Sequence, residues 1–153
     1  MLPRAQFDVS ALYYQKSLYT DPARAEAFKA KYGHALAVPE TWDQFRDQAI
    51  NRRFHELGVA NGGRMFTPAF NSPAGKQALL WVVDLYAAGA VPPGTTNDLW
   101  DDPGNGFASG TVGINLDWPG WAGFFNDPAA SRVAGNVGVA PAPKGSAGVR
   151  TGC

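Results

Sequence analysis

At 153 residues, with 45% hydrophobic and 17% charged positions, the chain is the size of one domain and too apolar to be disordered. Thirteen Lys and Arg balance thirteen Asp and Glu, so the formal net charge is zero and no electrostatic footprint for nucleic acid exists. Eighteen glycines and twelve prolines predict many turns, and the single cysteine, Cys153, allows neither an internal disulfide nor a thiolate metal site.

In chain order, Phe7 to Tyr14 alternates and is rich in aromatic and β-branched residues, which predicts a first strand. Gln15 to Tyr19 follows as a turn or helical step. Asp21-Pro22 opens a helix over 22–32, because Thr20 or Asp21 can cap and proline at the first helical position loses no hydrogen bond; Gly33 stops it. Thr41 and Gln44 have capping-box spacing, so a second helix starts at Trp42 with Trp42 and Phe45 on its inner side, continuing toward Leu57 and Gly58. Ser72-Pro73 repeats the cap-then-proline device. The helix that follows carries Ala74, Ala78, Leu79, Val82, Val83, Leu85 and Tyr86, an apolar face broad enough for a helix largely enclosed by its neighbours; it ends at Gly89.

Val91 to Asn97 reads as a connector. A helix over 98–109 is weakened by Pro103 and Gly104. Thr111 to Asp117 alternates as a strand with Val112, Ile114 and Leu116 on one face. Asn126-Asp127-Pro128 predicts a turn, Asn136 to Ala140 a short strand, and Pro141 to Cys153 a loop. Few strands dispersed among helices imply an α/β fold, or α+β, with a small sheet.

The stretch 107–127, FASGTVGINLDWPGWAGFFND, organises the rest. Pro119 has no N–H and Gly120 tolerates unusual backbone angles, so the strand ends there in a turn. Two indoles, Trp118 and Trp121, then stand at the carboxyl end of a strand beside the carboxylate of Asp117. Flat aromatic faces next to a hydroxyl acceptor suit a sugar ring, which is apolar on its C–H face and polar at its edge. The alternative is that both indoles fill the core.

Other chemistries lack their residues. His34 and His55 sit in no nucleophile or metal signature, and no cofactor motif is present. Gly62-Gly63 and Gly104-Asn105-Gly106 lack the lysine-serine continuation of a phosphate loop. Glycoside hydrolysis needs a second carboxylate paired with Asp117; Asp101, Asp102 and Asp127 read as turn and cap residues.

Five segments in order carry a resemblance: DVSALYYQKSLYTDP, PETWDQF, FNSPAGKQALLWVVDLY, FASGTVGINLDWPGWAGFFND and NVGVAPAPKG. Together they resemble the extracellular sugar-binding proteins of ABC importers, family 1, of the maltose-binding-protein type. The resemblance implies one lobe of a periplasmic-binding-protein-like fold, with residues 1–153 as a single partial domain similar to the second lobe. It implies a non-enzymatic protein without cofactor or metal, whose partners are a neutral sugar or oligosaccharide and an ABC permease. Trp118 or Trp121 would stack on a sugar ring, with Asp117 as acceptor; Tyr13 and Trp100 are further aromatic candidates, with packing as their alternative.

The departures matter as much. The first lobe has no counterpart here, the passage around 48–62 is compressed, and the chain stops at Cys153. Relatives of this kind work outside the cytoplasm, yet Met1 to Gln6 lacks the apolar run of an export signal, so the chain as encoded is cytoplasmic or of unknown location. No segment is long and apolar enough to span a membrane. One lobe offers one face of a clamp, so weak binding or assembly into a homo-oligomer is expected. The competing readings are a truncated fragment that folds without a ligand and, last, a glycoside-acting enzyme.

Overall fold

In the computed structural model the described residues are 10–48, 72–91, 94, 97–99, 101–145 and 148. In chain order they form β1 (Ala11–Gln15), α1 (Lys16–Thr20), α2 (Pro22–Tyr32), α3 (Trp42–Gln48), α4 (Pro73–Ala87), α5 (Asp102–Ala108), β2 (Ile114–Asp117), α6 (Trp121–Asn126) and β3 (Val137–Pro141). The strands make a small antiparallel sheet in the order β2-β1-β3, so β1 is central and bonds on both sides. The chain thus has the mixed helix-and-sheet character expected of it.

Side-chain alternation along the sheet divides the core into two layers. Leu12, Ile114 and Leu116 point to one face, where they meet Trp42 and Phe45 of α3 and Ala78, Trp81 and Leu85 of α4. Tyr13 and Val137 point to the other, against Phe107 and Ala108 of α5 and Phe125 of α6. Every residue of β2 is buried, because helices cover both of its faces. Ile114 and Leu116 therefore share a face as expected, and Val112, also buried, precedes the strand rather than belonging to it.

Local chemistry explains the helix ends. The Asp21 carboxylate accepts from the amides of Ala23 and Arg24 at 3.0 and 3.3 Å, and Gly33 closes α2 in the left-handed region at φ 77°. Thr41 and Gln44 form the reciprocal capping box: the Gln44 amide donates to Thr41 Oγ1 at 3.3 Å, and Gln44 Oε1 accepts from the Thr41 amide at 3.2 Å. Ser72 Oγ accepts from the Gly75 amide at 3.2 Å, starting α4. The continuation of α3 toward Gly58, and the compressed passage around 48–62, lie outside the described residues beyond Gln48.

Two expectations change. Pro103 does not weaken α5: it occupies the first turn, where its missing N–H has no intrahelical partner to lose. The face of α4 is also not enclosed. Ala78, Trp81 and Leu85 are buried, but Leu79, Leu80, Val83 and Tyr86 are 54%, 61%, 51% and 57% exposed. A three-stranded sheet covers one side of the helix and leaves the other without a partner among the described residues. Beneath α4, Trp42 and Trp81 meet edge to face at 5.5 Å and 82°, both indole N–H groups buried without an acceptor among the described residues. Each such N–H costs about 1–3 kcal/mol, which the packing of the rings must outweigh.

Candidate functional site

The site grows from the carboxyl end of β2. Asn115 and Asp117 alternate onto the face that holds Tyr13, and the register sets Tyr13 opposite Asn115 and Ala11 opposite Asp117. Beneath the corner three polar side chains are thereby gathered among the aromatic rings of α5 and α6. Tyr13 is 1% exposed and Asp117 3% exposed. Their polar atoms are engaged with protein. Tyr13 Oη donates to the carbonyl oxygen of Trp118 at 3.0 Å. Asp117 Oδ1 accepts from the Trp118 amide at 2.8 Å, and Oδ2 accepts from Asn115 Nδ2 at 3.3 Å.

Burial, together with the negative charge of Asp117 nearby, pushes the Tyr13 phenol up to about 12. It stays protonated throughout the neutral range and serves as a donor. Tyr13 and Asp117 thus offer no surface to a ligand in this arrangement. Packing, the alternative for Tyr13, is where its ring is found, and the Asp117 carboxylate is taken up by the corner beside it.

Trp118 is different. It is half-buried and stands one residue beyond β2 at the start of the Trp118-Pro119-Gly120 turn. The Trp121 amide donates back to the Trp118 carbonyl at 3.1 Å, so the corner closes on itself and launches α6. Trp121 heads that helix. Its ring stacks on Phe125 at 5.6 Å and 16°, meets Phe124 at 5.5 Å and 72°, and lies against the backbone of α5 at Gly104. It is half-buried and committed to packing along one side. Trp100 lies outside the described residues.

Sequence reasoning missed Asn115 and α6. Both had a signal: Asn115 falls on the same side of the strand as Asp117, and Trp121, Phe124 and Phe125 have the i, i+3, i+4 spacing of a helix face. Among the described residues no group of three or more His, Cys, Asp or Glu side chains could hold a metal. No described helix is long and apolar enough to cross a membrane.

Comparison with known proteins gives the fold as a lobe of the periplasmic-binding-protein type. The chain matches the family described as bacterial extracellular solute-binding proteins over residues 3–152, and it belongs to that family. The family serves ABC importers by binding solutes rather than by catalysis. A probable amino-acid ABC transporter periplasmic-binding protein of Sinorhizobium fredii is 30% identical, over 79% of this chain and 33% of that protein.

Among solved structures, maltose-bound MalE3 of T. maritima is 26% identical with a TM-score of 0.68, covering 95% of this chain and 41% of that one. A solute-binding protein from Agrobacterium radiobacter in complex with ribitol shares the fold, with a TM-score of 0.72 at 22% identity over 94% of this chain and 40% of that one. The chain spans about 33% to 41% of the length of these relatives.

Proposed function

We propose that this chain is a carbohydrate-binding lobe of an ABC importer's solute-binding protein, corresponding to the second lobe, with Trp118 as the ring on which a neutral sugar stacks and Trp121 as its flanking support. The observation that carries the reading is the placement of Trp118: a half-buried indole one residue past a strand end, with its main chain held by buried side chains. The relatives named above with maltose or ribitol are consistent with a polyhydroxyl ligand. By family the partner is an ABC permease and the working location outside the cytoplasm.

One lobe supplies one face. Binding sites that hold small ligands bury most of the ligand surface, and half a clamp forgoes much of that burial. Affinity of the chain alone is accordingly on the order of millimolar, about 4 kcal/mol of favourable free energy. Titration of neutral oligosaccharides and polyols, followed by tryptophan fluorescence and calorimetry, tests this. A saturable shift that Trp118→Ala abolishes is expected. Micromolar binding by a proven monomer would refute the half-clamp argument, and a shift that survives Trp118→Ala would move the site elsewhere.

A second reading has its own observation. The bare face of α4, with Leu79, Leu80, Val83 and Tyr86 exposed, favours a chain that associates through this helix whether or not it retains a ligand.

A further inference from the structure

We propose that Tyr13 is a positioning residue: its hydroxyl acts on the main chain of Trp118 rather than on a ligand, and so sets the orientation of the half-buried indole. Consider what a residue loses on stepping off a sheet edge. Within β2 alternate residues bond their amides and carbonyls to β1, but the last pair in the register is Ala11 with Asp117, so Trp118 lies beyond the ladder. Side chains take over. The Asp117 carboxylate holds the Trp118 amide at 2.8 Å, and the Tyr13 hydroxyl holds its carbonyl at 3.0 Å. The next residue, Pro119, has a fixed φ. Both polar groups of the Trp118 backbone are therefore tied down from within the protein, and the ring projects from a backbone with little freedom to swing.

The Tyr13 ring is itself immobilised. Phe125 meets it edge-on at 4.8 Å and 76°, and Phe107 lies at 6.3 Å and 54°. It stands on the central strand, the most constrained place in the sheet. As core filler, phenylalanine would serve equally well here and would bring no hydroxyl to satisfy. What tyrosine adds is one donor, buried and aimed at one carbonyl. Removing it would leave the same volume filled and take one of its donors from the Trp118 carbonyl, the Trp121 amide at 3.1 Å remaining in place.

The consequence for ligand affinity rests on the carbohydrate reading; the consequence for the ring does not. The test compares the unsubstituted chain with Tyr13→Phe, Trp118→Phe and the double variant. In the absence of sugar, Tyr13→Phe is expected to keep the far-UV spectrum and a cooperative urea transition while changing the near-UV circular dichroism of the indole band. That change should vanish in the Trp118→Phe background, which a general loosening of the core would not produce. Affinity for an oligosaccharide that binds the unsubstituted chain should fall about 3- to 10-fold, the loss of one hydrogen bond.

An unchanged indole band in Tyr13→Phe, or a change of equal size in both backgrounds, overturns the proposal. Should Tyr13→Phe fail to fold, the unsubstituted protein still decides. A slowly exchanging Tyr13 hydroxyl proton with NOEs to Trp118 is expected by NMR, and its absence is equally fatal. If no sugar binds the unsubstituted chain while the indole band behaves as described, the carbohydrate reading falls and the positioning role stands.

Discussion

Gly104 shows how one missing methyl group shapes the corner. A Cβ placed there would come within 2.9 Å of two ring carbons of Trp121, closer than such atoms approach in folded proteins. Its backbone angles do not require glycine; the flat indole pressed on the helix does. Gly104→Ala should therefore push Trp121 outward and cost about 1–3 kcal/mol, the range for overpacking. Urea denaturation with near-UV dichroism as the second probe will register both effects. Unchanged stability with an unchanged indole band would mean that α5 and α6 are not in contact there.

His34 makes the pH-dependent counterpart. Its Nε2 lies 2.9 Å from Asp47 Oδ2 and its Nδ1 3.2 Å from the Ala35 carbonyl, so both ring nitrogens face oxygen. The hydrogen bond to Asp47, then that to Ala35, raise the imidazole above its ordinary 6.5. A folded value raised above the unfolded one stabilises below the unfolded pKa, and that contribution fades as pH climbs through the raised value. An NMR titration should place His34 above 6.5, and Asp47→Asn should bring it down. A value at or below 6.5 in the unsubstituted protein would refute the pairing.

At the scale of the element, α4 separates what patterning can tell from what it cannot. Its start at Ser72-Pro73 was legible, because a cap hydroxyl and a proline in the first turn are local devices. Its environment was not. Leucine and valine on most sides of a helix announce that burial is wanted without saying which neighbour provides it. The two sides should respond differently to truncation. Leu85, 2% exposed, should cost about 2–5 kcal/mol on replacement by alanine, whereas Leu79→Ala should cost under about 0.5 kcal/mol in a monomer. If the chain associates through this face, light scattering should show Leu79→Glu with Val83→Glu shifting it toward monomer. Association that ignores both changes would place the contact on another surface. The short helix α6 carries one i, i+3, i+4 set, Trp121, Phe124 and Phe125, over six residues after a proline–glycine turn, a run too short for its period to stand out.

At the scale of the whole molecule, the order of segments along the chain already pointed to the family, and the match over residues 3–152 agrees with it. Strand and helix positions followed from spacing, caps and breakers, all of which act within a few residues. The ends of α2 at Pro22 and Tyr32 are the clearest instance. Alternation also put Ile114 and Leu116 together on one side of β2. What it could not weigh was depth. Asp117 and Trp118 are neighbours in sequence with equal claims to a ligand, yet one is sealed under the corner and the other half open to solvent. Nor could it connect Tyr13 to Trp118, separated by 105 positions and joined by a hydrogen bond.

The amino-acid sequence by itself therefore determined the kind of element at most places, the polar–aromatic composition of the corner and the lineage of the chain. Only the tertiary structure decided which side chains at that corner face water and which hold the others in place. The reason is physical: caps, turns and periodicity are local interactions, whereas exposure depends on which distant segments come to lie on either side of a sheet.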